Sequence, residues 1–282
     1  MRSEKEMFDL ILNFAKSNDL IKALILNGSR ANPNTEKDNF MDYDIIYVVN
    51  EVEPFIKNKN FINQFGDILI MQEPDNPELF TPEVSNKDKY TYLMQFTDGN
   101  RIDLTFANPD FAKKICLEDS QTLVLMDKNN LLPKISSPSE KSYFIKKPTK
   151  NEFLACCNEF WWLSTYVAKG LFRKQTIYAL EMFTQNVHPE FMKMVAWWIG
   201  LKNDFCVNGG NYGKYFKKFL SPQVYIKLLQ TYPDSNEKHI YLSLKNMCDL
   251  FDIMAKEISE SLEFPYNAKE SKNVMKYMFE NN

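Results

Sequence analysis

The sequence predicts an α+β protein with two domains, a mixed-sheet domain over residues 1–140 and a helical bundle over residues 141–282. Three observations support this prediction. Short apolar runs rich in β-branched and aromatic residues fill the first half of the chain. Longer segments with apolar residues at helical spacing fill the second half. A polar stretch with Ser-Pro and Lys-Pro steps, residues 128–148, separates the two, as is typical of a connection between domains.

The first half begins with a helix and continues as strands. Ser3 and Glu6 form a capping-box pattern ahead of apolar residues at helical spacing, which predicts a helix over about residues 4–17. An Asp98-Gly99 step favours a hairpin turn between the last two predicted strands. The predicted strands are Ala23–Leu26, Asp42–Val49, Asp67–Gln72, Tyr90–Thr97 and Arg101–Phe106.

The second half reads as a bundle of helices. Thr149 and Glu152 form a second capping-box pattern, which marks the first helix of this domain. The pattern predicts helices over about residues 150–169, 173–186, 190–201, 221–231 and 236–263.

The charge and hydropathy of the chain exclude several classes of protein. It has 34 basic and 37 acidic side chains and a net charge of −3, so the positive footprint of a nucleic-acid-binding protein is missing. No apolar run approaches the ~20 residues of a membrane-spanning helix, and the N-terminus lacks the pattern of a secretory signal. We expect a cytoplasmic protein, monomeric, with no nucleic-acid or membrane partner.

Two acidic residues stand at the start of a predicted strand. Asp42 and Asp44 are two apart, so on a strand their side chains project to one face, while Tyr43, Ile45 and Tyr47 take the other. Two neighbouring carboxylates repel each other and need a counter-charge, for which a divalent cation is the natural partner. A solvated strand edge is the alternative interpretation of this pair.

Two further motifs favour the cation. Gly28-Ser29 follows the preceding strand, where glycine lets the backbone approach an anion and serine offers a hydroxyl and an amide to phosphate oxygens. Asp103 lies between apolar residues on a strand that could lie beside Asp42 and Asp44. Three converging carboxylates can hold two magnesium ions about 3.5 to 4 Å apart. The pattern therefore indicates a site for a metal-bound triphosphate.

Other common catalytic motifs are missing from the sequence. The two histidines, His188 and His239, have no carboxylate or cysteine at metal-ligand spacing, so a zinc site is not expected. No Gly-x-Ser-x-Gly motif supports a hydrolase. Residues 209–214 resemble a phosphate loop, but their glycine spacing is not that of the Walker motif and Tyr215 replaces the required Ser or Thr.

The positions of the acidic and glycine residues resemble a known superfamily. Gly28-Ser29, Asp42-Tyr43-Asp44 and Asp103 form the pattern of the polymerase-beta-like nucleotidyltransferases, which place two acids on one strand and a third on its neighbour. More specific segments resemble the aminoglycoside 6-adenylyltransferases, also called streptomycin adenylyltransferases. They are Leu26–Asn32, Asp42–Ile45, Tyr92–Met94, Ile102–Thr105, Lys147-Pro148, Cys156–Trp161 and Lys169–Leu171.

This resemblance implies an N-terminal nucleotidyltransferase domain and an enzyme that confers antibiotic resistance. The implied reaction uses ATP and Mg²⁺ to place AMP on a hydroxyl of streptomycin, at the 6-position, with release of pyrophosphate. Carried over by position, Gly28 and Ser29 hold the β and γ phosphates, with Arg30 assisting. The two magnesium ions are bound by Asp42, Asp44 and Asp103.

The resemblance also suggests a general base. Asp103 is the first choice, because in related antibiotic adenylyltransferases the third acid sits near the acceptor hydroxyl. A carboxylate bound to Mg²⁺ normally has too low a pKa to act as an effective base, so Glu159 and Glu181 of the helical domain are competing candidates.

Near residue 210 the sequence departs from the family pattern. Relatives carry a Gly-Lys pair followed by a second lysine, whereas Asn211 stands in place of the first lysine here. Lys214 keeps the second lysine and is expected to bind the nucleotide, with Lys217 and Lys218 supplying further charge. The alternative explanation of this lysine-rich stretch is the solvated face of a helix.

The acceptor pocket is predicted near the start of the helical domain. Streptomycin carries guanidinium groups and an amine, so its pocket should combine carboxylates with aromatic faces. Glu159 and Trp162 are three apart and share one face of a helix, and Tyr166 lies one turn further along it. The alternative is that the tryptophans pack in the core. An acid such as Glu159 within this aromatic run is harder to explain as packing, because an unpaired buried charge is unfavourable.

Two other functions remain open at this stage. The same chemistry could act on another aminoglycoside, a lincosamide or a macromolecule, of which RNA is disfavoured by the net negative charge. A catalytically silent nucleotide-binding module is the third possibility. Asp42, Asp44 and Asp103 speak against it, because a module without turnover has no need for three mutually repelling acids.

Overall fold

The computed structural model describes residues 1–81, 84–85 and 87–280. The chain divides into two compact units, Met1–Ser142 and Tyr143–Asn282, here called unit 1 and unit 2. The border that the sequence predicts, between residues 140 and 141, lies two residues before this division.

Unit 1 is built from six strands and several helices in its described part. The predicted first helix forms with the predicted bounds, and the five predicted strands form with bounds shifted by one or two residues. The helices Glu53–Lys57 and Pro109–Glu118 and the strand Thr122–Asp127 were not predicted. The elements are α1 (Glu4–Ser17), β1 (Ile21–Asn27), β2 (Tyr43–Val49), α2 (Glu53–Lys57), β3 (Ile68–Gln72), β4 (Lys89–Phe96), β5 (Arg101–Ala107), α3 (Pro109–Glu118) and β6 (Thr122–Asp127).

The strands form one mixed sheet in the order β3-β4-β5-β2-β1-β6. The pair β2/β5 is parallel, whereas β1/β2, β1/β6, β3/β4 and β4/β5 are antiparallel. The parallel pair lies in the middle of the sheet, and it joins the strand after Asp42 to the strand that carries Asp103.

Both faces of the central strands are buried. On one face Tyr43, Ile45 and Tyr47 of β2 pack in a core that includes α1, and the Tyr47 hydroxyl donates to the Ile11 carbonyl at 2.9 Å. On the other face Ile46 and Val48 pack with residues of α3. The predicted alternation of β2 is therefore confirmed, but the face that carries the acids is also covered along most of its length.

Unit 2 is helical. The capping box of Thr149 and Glu152 begins its first helix, as predicted. The predicted helix over 173–186 is divided, because a turn of π-helix, Phe183–Val187, follows α5. The last helix, α9, was not predicted. The helices are α4 (Lys150–Phe172), α5 (Thr176–Met182), α6 (His188–Lys202), α7 (Pro222–Leu229), α8 (Glu237–Leu262) and α9 (Ala268–Phe279).

The core of unit 2 is rich in aromatic side chains. Phe160 of α4 stacks on Phe251 of α8 with 3.7 Å between the ring centroids, and Trp161 packs edge-on against both rings. In the part of the chain that the structure describes, no helix has both the length and the apolar character needed to cross a membrane.

Candidate active site

A row of polar side chains crosses the sheet of unit 1. Asn27 at the end of β1 is paired with Thr122 of β6 on one side and with Asp44 of β2 on the other, and Asp44 is paired with Asp103 of β5. Paired residues on neighbouring strands project to the same face. The neighbouring apolar residues place this row on the face that α3 covers. Two of the three predicted acids are therefore brought side by side.

The third predicted acid, Asp42, lies immediately before β2, and an arginine connects it to the others. The Arg101 guanidinium donates from Nε to Oδ1 of Asp103 at 2.7 Å and from Nη2 to Oδ2 at 2.8 Å. The same Nε is 3.7 Å from Oδ2 of Asp42. We call Asp42, Asp44, Asp103 and Arg101 the acidic centre. Arg101 was not predicted, although its position two residues before Asp103 on one strand face was a usable signal.

The electrostatics of the acidic centre act most strongly on Asp44. The pKa of this carboxyl is raised to about 7, mainly by burial and then by the charges of Asp103 and Asp42, while Arg101 opposes them. Neighbouring acids are expected to shift each other in this direction, because two like charges at short distance cannot both ionise easily. The centre thus holds more negative charge than Arg101 alone neutralises.

A fourth carboxylate adds to this charge. Asp119 follows α3, accepts a hydrogen bond from Nδ2 of Asn27 at 3.2 Å, and contributes to the raised pKa of Asp44. Sequence reasoning missed Asp119 and Asn27, because only the pairing of distant strands and the path of α3 bring them to this place.

Gly28 leaves room for the acidic centre. Its backbone has φ 72°, and a Cβ atom added there would lie 2.4 Å from Oδ2 of Asp44. Beyond it the chain turns, with the amide of Ala31 donating to the Gly28 carbonyl at 3.1 Å and that of Asn32 donating to the Ser29 carbonyl at 3.2 Å. The turn at Gly28-Ser29, which the sequence indicates as a phosphate site, therefore lies directly beside Asp44.

The donor set of the acidic centre fits magnesium. Carboxylate oxygens are the ligands that this cation prefers, and Oδ1 of Asn27, buried beside Asp44, has no hydrogen-bond partner. Within the described ranges, no three His, Cys, Asp or Glu side chains are already arranged as a ligand set. Both oxygens of Asp103 accept hydrogen bonds from Arg101.

Arg30, expected to assist phosphate binding, has its guanidinium engaged within unit 1. Its side chain is only 6% exposed, and its guanidinium lies 3.8 Å over the Tyr43 ring. It donates to the carbonyls of Met41 at 2.6 Å and Asp42 at 3.2 Å. Arg30 therefore fixes the backbone that leads into β2, and a phosphate contact would require it to leave these partners.

The acceptor-site candidates lie on the surface of α4 in unit 2. Trp162 is 59% exposed, and its Nε1 donates to the Tyr166 hydroxyl at 3.0 Å, so these two residues share a face as predicted. Trp161 is 2% exposed and belongs to the core. Glu159 is exposed, so the argument from the energetic cost of a buried charge does not apply to it.

The remaining candidates of unit 2 are also at its surface. Lys214 is exposed and follows a short 3-10 turn, Asn211–Gly213, and Asn211 is exposed as well. Glu181 is exposed on α5. The structure therefore leaves Lys214 and both glutamates accessible.

Comparison with known proteins identifies the family of the chain. Residues 1–280 match the family model of streptomycin adenylyltransferase. The chain is 36% identical to an aminoglycoside 6-adenylyltransferase of Staphylococcus aureus over all of both chains. It is 38% identical to that of Bacillus subtilis (strain 168), covering 94% of this chain and 93% of the relative. A crystal structure of an aminoglycoside 6-adenyltransferase from Bacillus subtilis is 33% identical over 99% of this chain and 98% of that one, with a TM-score of 0.48.

The mixed sheet of unit 1 and the helical second unit give the α+β fold that the sequence predicted. The family match makes the chain a nucleotidyltransferase. The chain belongs to the streptomycin adenylyltransferase family, and family membership makes it an enzyme.

Proposed function

We propose that the protein transfers AMP from ATP to the hydroxyl at the 6-position of streptomycin, releases pyrophosphate, and thereby confers resistance. Its relatives are aminoglycoside 6-adenylyltransferases, which supports the reaction. The observation that carries the proposal is the acidic centre, where Asp44 and Asp103 are register partners on parallel strands beside Gly28.

The residues of unit 1 have distinct roles in this proposal. Asp42, Asp44 and Asp103 would hold two magnesium ions, once Arg101 releases the oxygens of Asp103. When bound, magnesium would neutralise charge on the phosphates and favour attack on the α-phosphorus. The backbone at Gly28 and the hydroxyl and amide of Ser29 would bind phosphate oxygens. In unit 2, the Lys214 ammonium would add a further positive charge for the nucleotide.

The reaction forms one bond and breaks one. The oxygen of the acceptor hydroxyl attacks the α-phosphorus of ATP, and the bond from that phosphorus to the pyrophosphate oxygen breaks. The hydroxyl proton passes to a general base, for which we propose Asp103. Glu159 and Glu181 are the competing candidates, and the variants Glu159→Gln and Glu181→Gln distinguish them, because only loss of the true base removes the fall in rate at low pH.

The exposed residues of α4 suit a cationic acceptor. Glu159 supplies a carboxylate, and Trp162 supplies an aromatic face on the same helix. Guanidinium groups bind carboxylates through paired hydrogen bonds and stack on aromatic rings. We therefore propose that these two residues bind the antibiotic.

Mass spectrometry of streptomycin tests the proposed reaction. Incubation with the protein, ATP and Mg²⁺ should add one adenylyl group, and EDTA should abolish the product. Asp42→Asn and Asp44→Asn should each lower turnover by about 100-fold or more, while Asp110→Asn, an acid on α3 that is 93% exposed, should not change it. Full activity of either active-site variant would contradict the metal assignment.

The choice of streptomycin is tested separately. A panel of other aminoglycosides, a lincosamide and an RNA oligonucleotide, each with labelled ATP, measures pyrophosphate release for each acceptor. If another compound gives rapid pyrophosphate release and streptomycin gives none, that compound becomes the proposed acceptor. ATP binding without product for the whole panel would indicate a silent nucleotide-binding module.

A further inference from the structure

The Asn27 side chain lies between the acidic centre and the end of α3. Asn27 is the last residue of β1, and its register partner on β2 is Asp44. Its Nδ2 donates to Oδ2 of Asp119 at 3.2 Å. Its Oδ1 is buried, and none of the residues that the structure describes donates to it. A buried acceptor without a partner is unfavourable, so it indicates a group that binds at this atom.

Asp119 determines which end of the Asn27 amide takes which place. A carboxylate only accepts hydrogen bonds, so it must face the NH2 group of Asn27 and not its oxygen. The two oxygens of Asp119 have separate donors, because Oδ1 accepts from the Gln121 amide at 2.8 Å and Oδ2 accepts from Asn27. The backbone of Asp119 is fixed as well, since its amide donates to the Ile115 carbonyl of α3 at 2.9 Å. The orientation of the Asn27 amide is therefore set before any cation binds.

A neutral oxygen is a suitable addition to the acidic centre. Amide and carbonyl oxygens belong, with carboxylates and water, to the ligands that suit magnesium. Both oxygens of Asp103 are engaged by Arg101, which reduces the number of oxygens that the carboxylates offer. A further carboxylate ligand would increase the repulsion among the acids, whereas an amide oxygen adds a ligand without adding charge.

We infer that Oδ1 of Asn27 is a further oxygen ligand for magnesium in the acidic centre, and that Asp119 is a positioning residue that holds this oxygen ready for the cation. The inference rests on the proposed use of magnesium. Metal ligands commonly depend on outer hydrogen-bond partners that orient them, and the contact of Asp119 with Nδ2 has this form.

Calorimetric Mg²⁺ titration of the whole protein tests the ligand. Asn27→Leu keeps a side chain of similar size without an oxygen, so it should weaken Mg²⁺ binding by about tenfold. Thr122→Val is the matched control. Thr122 is the register partner of Asn27 on β6, and its Oγ1 is also buried with no partner among the described residues. This control should bind Mg²⁺ as the unaltered protein does, and urea unfolding shows whether each variant folds.

Asp119→Asn tests the positioning role with almost no change in size. The single oxygen of the new amide is occupied by the Gln121 amide, so its NH2 group faces Asn27. Asn27 should then turn its own oxygen toward this donor and its NH2 group toward the place that Oδ1 held. Mg²⁺ binding should therefore weaken by about tenfold or more.

A double variant separates this change of orientation from the loss of charge at Asp119. In the Asn27→Leu background, Asp119→Asn removes the same charge but has no amide to reorient. The factor by which it weakens Mg²⁺ binding should therefore be at least about threefold smaller there than in the unaltered protein.

Three results would overturn the inference. Asn27→Leu that folds and binds Mg²⁺ as tightly as the unaltered protein would remove Oδ1 from the ligands. Unchanged Mg²⁺ binding in Asp119→Asn, or equal losses from it in both backgrounds, would remove the positioning role, and the first of these holds even if Asn27→Leu does not fold. An equal loss in Thr122→Val would show that any change in the polar row weakens the cation.

Failure of this inference is distinguishable from failure of the proposed function. If Asp44→Asn weakens Mg²⁺ binding and Asn27→Leu does not, the inference is wrong and the proposed metal site stands. If Asn27→Leu and Asp119→Asn weaken Mg²⁺ binding as expected but streptomycin gains no adenylyl group, the inference stands and the proposed reaction does not. If Asp44→Asn and Asn27→Leu both bind Mg²⁺ normally, the metal assignment and the inference are both wrong.

Discussion

The acidic centre of unit 1 and the cavity beside His188 in unit 2 each contain a buried titratable group with a shifted pKa, and the causes of the two shifts differ. At Asp44 burial and the like charges of Asp42 and Asp103 raise the pKa together. At His188 burial alone lowers it. A bound cation would oppose the like charges that raise the pKa of Asp44. The pKa of His188 has no such contribution from charge. The pKa in the acidic centre therefore depends on the charges around Asp44, whereas the pKa of His188 depends on its burial.

The largest expected effect is on the stability of unit 1. The pKa of Asp44 is 3.8 in an unperturbed chain and about 7 here, so in this window the unfolded chain has lost a proton that the folded chain keeps. Stability therefore falls as the pH rises from about 4 to 7. Asp44→Asn removes this slope and should stabilise metal-free protein at pH 8 by up to about 4 kcal/mol.

Native-state hydrogen exchange of the β2 and β5 amides in EDTA measures the effect in unit 1. Asp110→Asn is the control, because this exposed acid on α3 should leave the slope unchanged. Equal slopes in Asp44→Asn and in the unaltered protein would show that Asp44 ionises normally in the folded chain.

The opposite slope is expected in unit 2. The pKa of His188 is lowered from 6.5 to about 4, so between these values the unfolded chain binds a proton that the folded chain does not. Stability is lost as the pH falls from about 6.5 to 4, by up to about 3 kcal/mol. His188→Gln should flatten this dependence. Urea unfolding followed by tryptophan fluorescence measures it, because Trp161, Trp162, Trp197 and Trp198 all lie in unit 2.

His239→Gln is the matched control for this experiment. His239 is exposed on α8 and contacts Asp234 at 2.8 Å. His239→Gln should leave the pH dependence of the free energy of unfolding between pH 6.5 and 4 unchanged. If this control flattens the curve and His188→Gln does not, the buried imidazole is not the origin.

Two glycines with similar backbones should respond differently to alanine. Gly28 has φ 72° and Gly213 has φ 75°. At Gly28 the new Cβ would displace the Asp44 carboxylate, so Gly28→Ala should lower kcat about 100-fold, since a displacement of about 1 Å costs this much. At Gly213 it would meet Met192 and Phe216 of unit 2, so Gly213→Ala should leave the position of the Asp44 carboxylate and kcat nearly unchanged.

Steady-state kinetics with ATP varied separates these outcomes. Both variants should lose about 1 kcal/mol of stability from the left-handed backbone alone. Equal losses of kcat in the two would mean that the glycines act through the backbone and not through their neighbours.

The smallest effect is expected at Arg101. Its side chain is 39% exposed, so Arg101→Met should lower the stability of metal-free protein by only about 1 kcal/mol. The same variant should bind Mg²⁺ more tightly, by roughly tenfold, because a competing cation is removed. Calorimetric Mg²⁺ titration measures this, with Arg173→Met, an exposed arginine after α4, as the control. Weaker Mg²⁺ binding would show that Arg101 holds Asp103 in place for the metal.

The acids could be found from the sequence because their pattern is local. Asp42 and Asp44 are two apart, and the apolar alternation around Asp103 places it on a strand face. Their meeting with Asn27 and Thr122 depends on the register of four strands, which no local pattern encodes.

Two elements of unit 1 were missed although their signals were present. Asn108 caps α3 by accepting from the Phe111 amide at 2.8 Å, and Pro109 follows at the first helical position, which is a common helix start. The run Thr122–Asp127 is apolar and became β6. Arg30 is a different case, since its sequence position beside Ser29 does not reveal that its guanidinium turns back onto Tyr43.

The π-turn before α6 contains one residue more than a regular turn of α-helix. The His188 amide donates to the Phe183 carbonyl five positions back, so the backbone bulges outward between α5 and α6. A shortened homologue with an uninterrupted helix would gain regular backbone pairing and rotate every later side chain of α6 by about a quarter turn. Loss of one residue at this point would therefore make the helix regular but would change the orientation of the His188 imidazole. The sheet of unit 1 would be unaffected.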